Sequence, residues 1–438
     1  MDPVNVGLLG LGTVGAGTVN VLQRNAEEIT RRAGRGIRVA HAAARDLTAT
    51  RACPTDGIRL TDDPFEVVRD PEVQVVAELI GGYEPARELV LEAIAQGKHV
   101  VTANKALIAQ YGNEIFAAAH AQGVVVAFEA AVAGGIPVIR ALREGLAANR
   151  IEWVAGIING TGNFILTEMR DKGRDFSDVL AEAQQLGYAE ANPVFDVEGI
   201  DAAHKLTILA SIAFGIPLQF DRVYTEGITK ITRGDVAYAE ELGYRIKHLG
   251  IARRNGAGIE LRVHPTLIPE RRLLANVDGV MNAVLVMGDA VGPTLYYGAG
   301  AGAEPTASSV VADLVEVTRV LTSDPENRVP HLAFRHDAMA DLPILPIDEV
   351  HSAYYLRLQA VDKPGTLADV TRILAEREIS IEAIIQKEPE EGATYVPVII
   401  LLQRVREREV DRAIAAIEAL DIVEAPVTRI RVEALDAN

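Results

Sequence analysis

Two charged residues four apart, Asp201 and Lys205, open a run at 199–214 in which Leu206, Ile208, Leu209, Ile212 and Ala213 leave almost no polar side. Spacing of i,i+4 puts the pair on one helix face, and that stripe continues as Ile208 and Ile212, so the charges stand where a buried stripe begins. A lysine partly withdrawn from water loses basicity and can take or give a proton near neutral pH. The other reading is an ordinary helix ion pair, worth about 0.3–0.5 kcal/mol. His204 beside them reads as a surface or packing residue. The segment before them, 186–196, adds Glu190 and Asp196. Lys105 follows an apolar run at 99–102, in Thr102-Ala103-Asn104-Lys105. If that run is a parallel strand, Lys105 stands at its carboxyl end, where doubly wound sheets hold ligands; otherwise it is a first-turn lysine, mildly disfavoured by the helix dipole. Such a set suits removal of a proton from an alcohol while the substrate is held in place.

A second kind of chemistry is written in Gly10-Leu11-Gly12-Thr13-Val14-Gly15, a G-x-G-x-x-G between an apolar run and an amphipathic one. Gly10 permits the tight turn, Gly12 lets backbone approach a pyrophosphate, and Gly15 allows close helix–strand packing, with the helix N-terminus supplying N–H donors. The second apolar run ends in Arg45-Asp46. An arginine there accommodates the 2′-phosphate of NADP, whereas an acid accepts from the ribose hydroxyl of NAD; the two residues can also be a solvated ion pair. Glu129 precedes a glycine-rich bend at 130–137, which reads as a weak hard-cation site or as a plain interdomain turn.

The elements that must position these residues follow from periodicity. Strands are expected at 4–9, 37–44, 73–80, 99–102 and 124–128, with helices at 13–32, 85–96 and 104–122. Apolar strands alternating with helices predict a Rossmann-type doubly wound parallel sheet over 1–136. Residues 137–322 read as an α+β catalytic and dimerisation domain. Strands are expected there at 151–158, 259–267 and 281–287, and helices at 176–186, 199–214 and 304–321, with 298–322 packing back on the first domain. Four prolines and no periodicity mark 323–350 as a linker. Over 351–438 the order is βαββαβ, a ferredoxin-like plan, with strands at 353–360, 380–386, 396–402 and 427–432 and helices at 366–376 and 406–420.

Composition narrows the partners. A net charge of −18 repels nucleic acid and anionic lipid, and no run of apolar residues is long enough for a membrane span. The single cysteine, Cys53, rules out an internal disulfide framework. It lies in a loop beside Pro54 with no associated histidine motif, which argues against a thioester-forming dehydrogenase. With no signal-peptide pattern at the start, the expected location is the cytoplasm.

Taken together the motifs resemble those of homoserine dehydrogenases. They are 7–15, 102–105, 129–137, Asn-Gly-Thr-Gly-Asn-Phe-Ile-Leu at 159–166, Leu-Gly-Tyr-Ala-Glu through Gly-Ile-Asp-Ala-Ala-His-Lys at 186–205, and the glycines of 298–302 followed by Glu304. The resemblance spans about 1–322. It implies interconversion of L-homoserine and L-aspartate 4-semialdehyde with NAD or NADP, on the route to threonine, methionine and isoleucine. It also implies Lys205 as proton donor and acceptor, Asp201 near the reacting hydroxyl, Glu190 at the substrate's amino end, and Lys105 at the cofactor–substrate junction. Gly302 would return to the cofactor. Glu129, with the carbonyls of Val132, Gly134 and Ile136, matches a structural sodium site. The tail Val361-Asp362-Lys363-Pro364-Gly365-Thr366-Leu367 resembles an ACT domain, which implies L-threonine as effector, Asp362, Gly365 and 380–384 as possible contacts, and pairing into a homodimer or homotetramer. A dimerisation module without ligand, and a nucleotide-binding sensor without turnover, are the competing readings.

Overall fold

The computed structural model describes residues 2–256, 258–387 and 394–436. Its first part is a sheet of strands β1 (Val4–Leu9), β2 (Ile37–Ala43), β3 (Arg59–Thr61), β4 (Val75–Glu78), β5 (His99–Thr102) and β6 (Val126–Ala127). The order is β3-β2-β1-β4-β5-β6, and every pairing is parallel. Helices α1 (Thr13–Arg24), α2 (Ala26–Ala33), α3 (Pro64–Arg69), α4 (Ala86–Ala95) and α5 (Lys105–Gln122) cover it. Successive strand residues go to opposite sides. Val76 and Val100 join the core built with α3, α4 and α5, while Val75 and Val101 join the one built with α1 and α2. Both faces are therefore covered, which is why these strands are apolar throughout. The helix expected over 13–32 is two helices, broken at Asn25, whose φ of −107° and ψ of 21° leave the helical region. Sequence patterning also missed β3, too short to show alternation, and α3, which begins at an Asp63 cap donated to by the Phe65 amide.

The second part runs through α6 (Val138–Arg140), β7 (Ile151–Ile157), α7 (Gly160–Lys172), α8 (Phe176–Gln185), α9 (Val194–Val197), α10 (Ile200–Phe214), β8 (Tyr224–Thr225), α11 (Arg233–Glu241), β9 (Tyr244–Asn255), β10 (Gly258–Pro269), β11 (Met281–Gly288), β12 (Gly292–Ala299) and α12 (Ala303–Val320). Of these, α6, α7, α9, β8, α11, β9 and β12 are not expected from periodicity; β9 carries Lys247, His248 and Arg253 among its apolar residues. Helix α12 lies on the first part. Val310, Leu314 and Val317 share a core with Val19 of α1, and Arg24 grips Glu304 through bonds of 2.6 and 3.0 Å.

Residues 323–350 connect to the C-terminal unit as a fastened strap. The Ala340 amide donates to Gly215 (2.6 Å), Ile259 to Pro343 (2.9 Å) and Leu345 to Ile259 (2.8 Å), and Leu332 is buried. The C-terminal unit is β13 (His351–Val361), α13 (Thr366–Ala375), β14 (Ile381–Gln386), β15 (Tyr395–Arg406), α14 (Glu407–Glu418) and β16 (Val423–Val432). This is the expected βαββαβ order with sheet order β16-β13-β15-β14.

What the periodicity did not announce is that this small sheet has no free inner edge. Strand β16 pairs parallel to β10 at Thr266↔Arg431 and Leu267↔Val432, giving one continuous sheet β12-β11-β7-β9-β10-β16-β13-β15-β14, with β8 beside β10. Buried charges knit the seam. Arg431 pairs with Glu407 and with Glu226 (2.7 Å), Arg262 with Glu433 (2.6 Å), and Arg357 with Asp235 (2.6 Å). Each is matched by a carboxylate, the condition under which buried charge is tolerated. Among the described residues, no helix is long and apolar enough to cross a membrane.

Candidate active site

Lys205 and Asp201 lie one turn apart on α10, both buried. The Lys205 ammonium nitrogen donates to Asp201 Oδ2 and to the Ile158 carbonyl, each at 2.7 Å. Lys105, at the first position of α5, reaches the other carboxylate oxygen, Asp201 Oδ1, at 3.2 Å. The nucleotide-type domain and the second domain thus meet on one carboxylate. Asn159 is the residue that sequence reasoning passed over. Its side-chain amide donates to Asp201 Oδ2 (2.9 Å) and Asp196 Oδ1 (2.8 Å), while its carbonyl oxygen accepts from the Gly162 amide (2.7 Å) and caps α7. The signal was an Asn before a helix start, which specifies a cap; nothing local says that the same side chain bridges two carboxylates.

Burial pulls the Lys205 ammonium below the ordinary lysine range, with Asp201 opposing the shift. Asp201 resists its own burial because Lys205 and Lys105 flank it, and its carboxyl stays well below the usual range. Asp196 is pushed up, chiefly by burial, with the Asn159 bond opposing and Asp201 adding to the rise. The cluster therefore holds a fixed anion, a lysine able to exist as a neutral amine, and a second carboxylate reluctant to ionise. Such displaced protonation equilibria mark sites of proton transfer.

The glycine motif joins β1 to α1 as expected. Gly10 sits at φ 101°, and a side chain there would press on the Leu79 backbone at 3.0 Å. A side chain on Gly15 would collide with the Gly10 carbonyl, whereas one on Gly12 would meet nothing within 4 Å. The middle glycine thus faces open space beside the free amides of α1, whose first turn has no acidic residue and no side-chain cap. That cradle, with Leu11, Thr13 and Val14, fits a dinucleotide pyrophosphate. It lies at the point where strand order reverses between β1 and β4. Arg45 is exposed at the end of β2. Asp46 is occupied, accepting from the Thr48 amide (2.9 Å) and hydroxyl (2.7 Å). Glu78, buried at the end of β4, accepts from the Ile80 and Gly81 amides and from the Thr102 hydroxyl. It shapes the loop against Gly10.

Other candidates land elsewhere. Glu190 is exposed, and what the structure records for it is a backbone carbonyl accepting from Gln184; it is not drawn into the lysine cluster. The Glu129 carboxylate is buried and accepts from the Ile139 and Arg140 amides (2.9 and 2.8 Å). The Gly134 carbonyl accepts from the Ser309 hydroxyl (2.7 Å), and the Ile136 carbonyl from the Val138 amide (2.8 Å). Burial pushes the Glu129 carboxyl above its usual range, with Arg140 and Arg143 opposing. The bend also joins the domains. Gly134, at φ 49°, packs directly on the Gly300 backbone, and Gly302 is the cap residue immediately before α12. Asp362 and Gly365 line a cavity at the β13–α13 junction with Lys363, Thr366, Gln386 and Val398.

Comparison with known proteins agrees with these three parts. The family model "Homoserine dehydrogenase, NAD binding domain" matches residues 10–129, "Homoserine dehydrogenase" matches 137–315, and "ACT domain" matches 354–419. A homoserine dehydrogenase of Pseudomonas aeruginosa is 70% identical over 436 residues, covering 100% of both chains. One of Neisseria gonorrhoeae is 60% identical, covering 99% of this chain and 100% of that one. The crystal structure of a homoserine dehydrogenase from Thiobacillus denitrificans superimposes with a TM-score of 0.95 at 70% identity, covering 100% of this chain and 99% of that one. A hyperthermophilic archaeal homoserine dehydrogenase in complex with NADPH matches 72% of this chain and 98% of its own, with a TM-score of 0.62 at 26% identity. A dinucleotide cradle, a buried lysine–aspartate pair joined to the same domain through Lys105, an appended βαββαβ unit and full-length identity of this order lead to one conclusion: the chain belongs to the homoserine dehydrogenase family and carries an ACT domain.

Proposed function

We propose that this chain oxidises L-homoserine to L-aspartate 4-semialdehyde, and reverses the reaction, with a nicotinamide cofactor. The observation that carries the reading is the Lys205 nitrogen. It donates two hydrogen bonds, to Asp201 and to Ile158, and a neutral amine has two N–H bonds to donate. In the neutral form its remaining tetrahedral position is a lone pair, ready to accept the substrate's hydroxyl proton. In reduction the same position carries the third N–H, which protonates the forming alkoxide. Asp201 stays ionised in both directions and keeps the nitrogen oriented, while Lys105 offsets its charge from the opposite domain. NAD(P), when bound, accepts or supplies the hydride. The amides of Gly10–Gly15 would hold its pyrophosphate, and exposed Arg45, with Asp46 already occupied, favours NADP.

Asp196, Glu190 and the 186–199 segment are assigned to the amino-acid end of the substrate. L-Threonine is the proposed effector, at the cavity lined by Asp362 and Gly365. Strands β12 and β14 are the two outer edges of the long sheet, and pairing of a second copy along such edges supports a homodimer or homotetramer. The assigned location is the cytoplasm. No reaction step passes through a sodium ion.

The test is absorbance at 340 nm with L-homoserine and NAD or NADP, with and without L-threonine. Homoserine-dependent reduction is expected, faster with NADP and slowed by threonine. Lys205→Ala should lower kcat by at least ~100-fold, the usual worth of a positioned acid–base group. A folded Lys205→Ala protein with near-normal kcat would remove the lysine from its role.

A further inference from the structure

His204, between Asp201 and Lys205 on the same helix, has no place in the proton-transfer scheme, yet it is fully buried. Its ring stacks on Phe220 with centroids 4.2 Å apart and tilts against Phe195 at 5.5 Å. Its Nε2 lies 3.3 Å from the hydroxyl of Tyr83, a residue of the other domain. Tyr83 is itself partly exposed, on a loop after β4 whose preceding residues, Gly81 and Gly82, both have positive φ.

Two further contacts give this bond a mechanical setting. Asn104 donates its side-chain amide to the Gly82 carbonyl (2.7 Å) and caps α5 by accepting from Leu107 (3.1 Å). The Tyr83 loop and the helix start bearing Lys105 are thereby tied together. Farther along α5, Asn113 exchanges a reciprocal pair of bonds with the Leu218 backbone at 3.0 and 3.1 Å, and Leu218 packs where Gly112 leaves room. The two domains are fastened at Asn113–Leu218. About two turns of α5 away, Lys105 meets Asp201 and Tyr83 meets His204, which share one face of α10 at spacing i,i+3.

We propose that Tyr83 and His204 form a hydrogen-bonded latch across the seam between the two domains. They are positioning residues: the latch holds the Lys105-bearing domain against α10 so that Asp201 and Lys205 keep their geometry. The bond acts through Lys105 and α10, so its loss is expected to lower turnover more than dinucleotide binding. This rests on the proton-transfer reading of Lys205.

The experiment is a double-mutant cycle on the full chain with Tyr83→Phe, His204→Leu and both, measuring kcat, KM for L-homoserine and the Kd of NADPH by fluorescence. Each single change should lower kcat roughly fivefold, the factor that the net worth of one neutral hydrogen bond converts to, with the NADPH Kd unchanged. The double variant should be no slower than the slower single one. His204→Gln, whose amide can occupy the Nε2 position, should recover most of the loss. Hydrogen exchange at 81–84 should quicken in Tyr83→Phe. Should His204→Leu fail to fold, Tyr83→Phe decides, because Tyr83 lies at the surface. Unchanged kcat and exchange in Tyr83→Phe, or effects that multiply in the double variant, would overturn the latch. Absence of turnover in the unaltered chain would instead overturn the reading beneath it.

Discussion

Lys205 and Asp201 show how a common helix pair becomes chemistry. On an exposed face the pair would be worth a few tenths of a kcal/mol. Here burial works on both members, and the outcome differs because the surroundings differ. Asp201 has two lysine nitrogens and an amide on its oxygens, so it remains an anion; Lys205 has one carboxylate and a neutral carbonyl, so burial dominates. The sign of the pH dependence follows. Homoserine oxidation needs the neutral amine, so kcat/KM should rise with pH through an apparent pKa below the free-lysine value of about 10.4. Asp201 is what holds that pKa up, so Asp201→Asn should lower the rate and move the rising limb to lower pH. A limb that stays put, or moves to higher pH, would mean that another group titrates. Both lysines and the aspartate were legible as candidates from type and spacing. Asn159 was not, because its second and third hydrogen bonds go to residues 37 and 42 positions away.

At the scale of elements, helix starts carry most of the function. Helix α1 offers amides to a pyrophosphate, α5 presents Lys105, α7 is capped by Asn159, and α10 has Asp201 in its first turn. The β1–α1 turn leaves least freedom, since a methyl group on Gly15 would overlap the Gly10 carbonyl. Gly15→Ala should therefore push α1 away from β1 and weaken NADPH binding by at least ~10-fold, about 1.4 kcal/mol, while Gly12→Ala, which meets no protein atom, should weaken binding only by intruding on the ligand. Isothermal titration of the two variants separates these effects, and a further sign is that only Gly15→Ala should lower the melting temperature of the ligand-free protein. This turn was fully legible in sequence because its constraint is local.

Across the whole molecule, two histidines, His99 buried and His331 half-buried, pin neighbouring backbone. His99 Nδ1 accepts from the Val125 amide at 2.9 Å, and His331 Nε2, from the strap, accepts from the Val126 amide at 3.1 Å. Each acceptor is a lone pair that protonation would remove. Burial holds His99 down to about 4 and His331 to about 3, with Arg328 contributing to both. Since the unfolded chain takes up these protons near pH 6.5, their stabilisation is complete above that pH. It is lost as pH falls toward the folded values, by up to about 1.4 kcal/mol per histidine per pH unit. Urea unfolding at pH 7 and pH 5 should show the decline, and His331→Gln should make it shallower. An equal decline in the variant would place the acid sensitivity elsewhere, for instance in His204, which burial also holds down to about 4.

By itself the sequence determined those features whose cause lies within one or two turns: the glycine turn after β1, the buried strands with their alternating helices, the i,i+4 pair on α10 and the βαββαβ order of the ACT domain. Turn sterics and hydrophobic periodicity act over a few residues and leave a pattern there. The tertiary structure decided what depends on distant partners. It placed Asn159 between two carboxylates and turned the Glu129 side chain toward backbone amides. It laid the proline-rich 323–350 segment down as a strap, and it joined β16 to β10 so that the ACT sheet continues the catalytic one. Those outcomes turn on complementary surfaces and buried charges brought together from far along the chain, such as Arg431 with Glu226. Each partner looks like an ordinary polar residue until burial makes its unpaired state too costly.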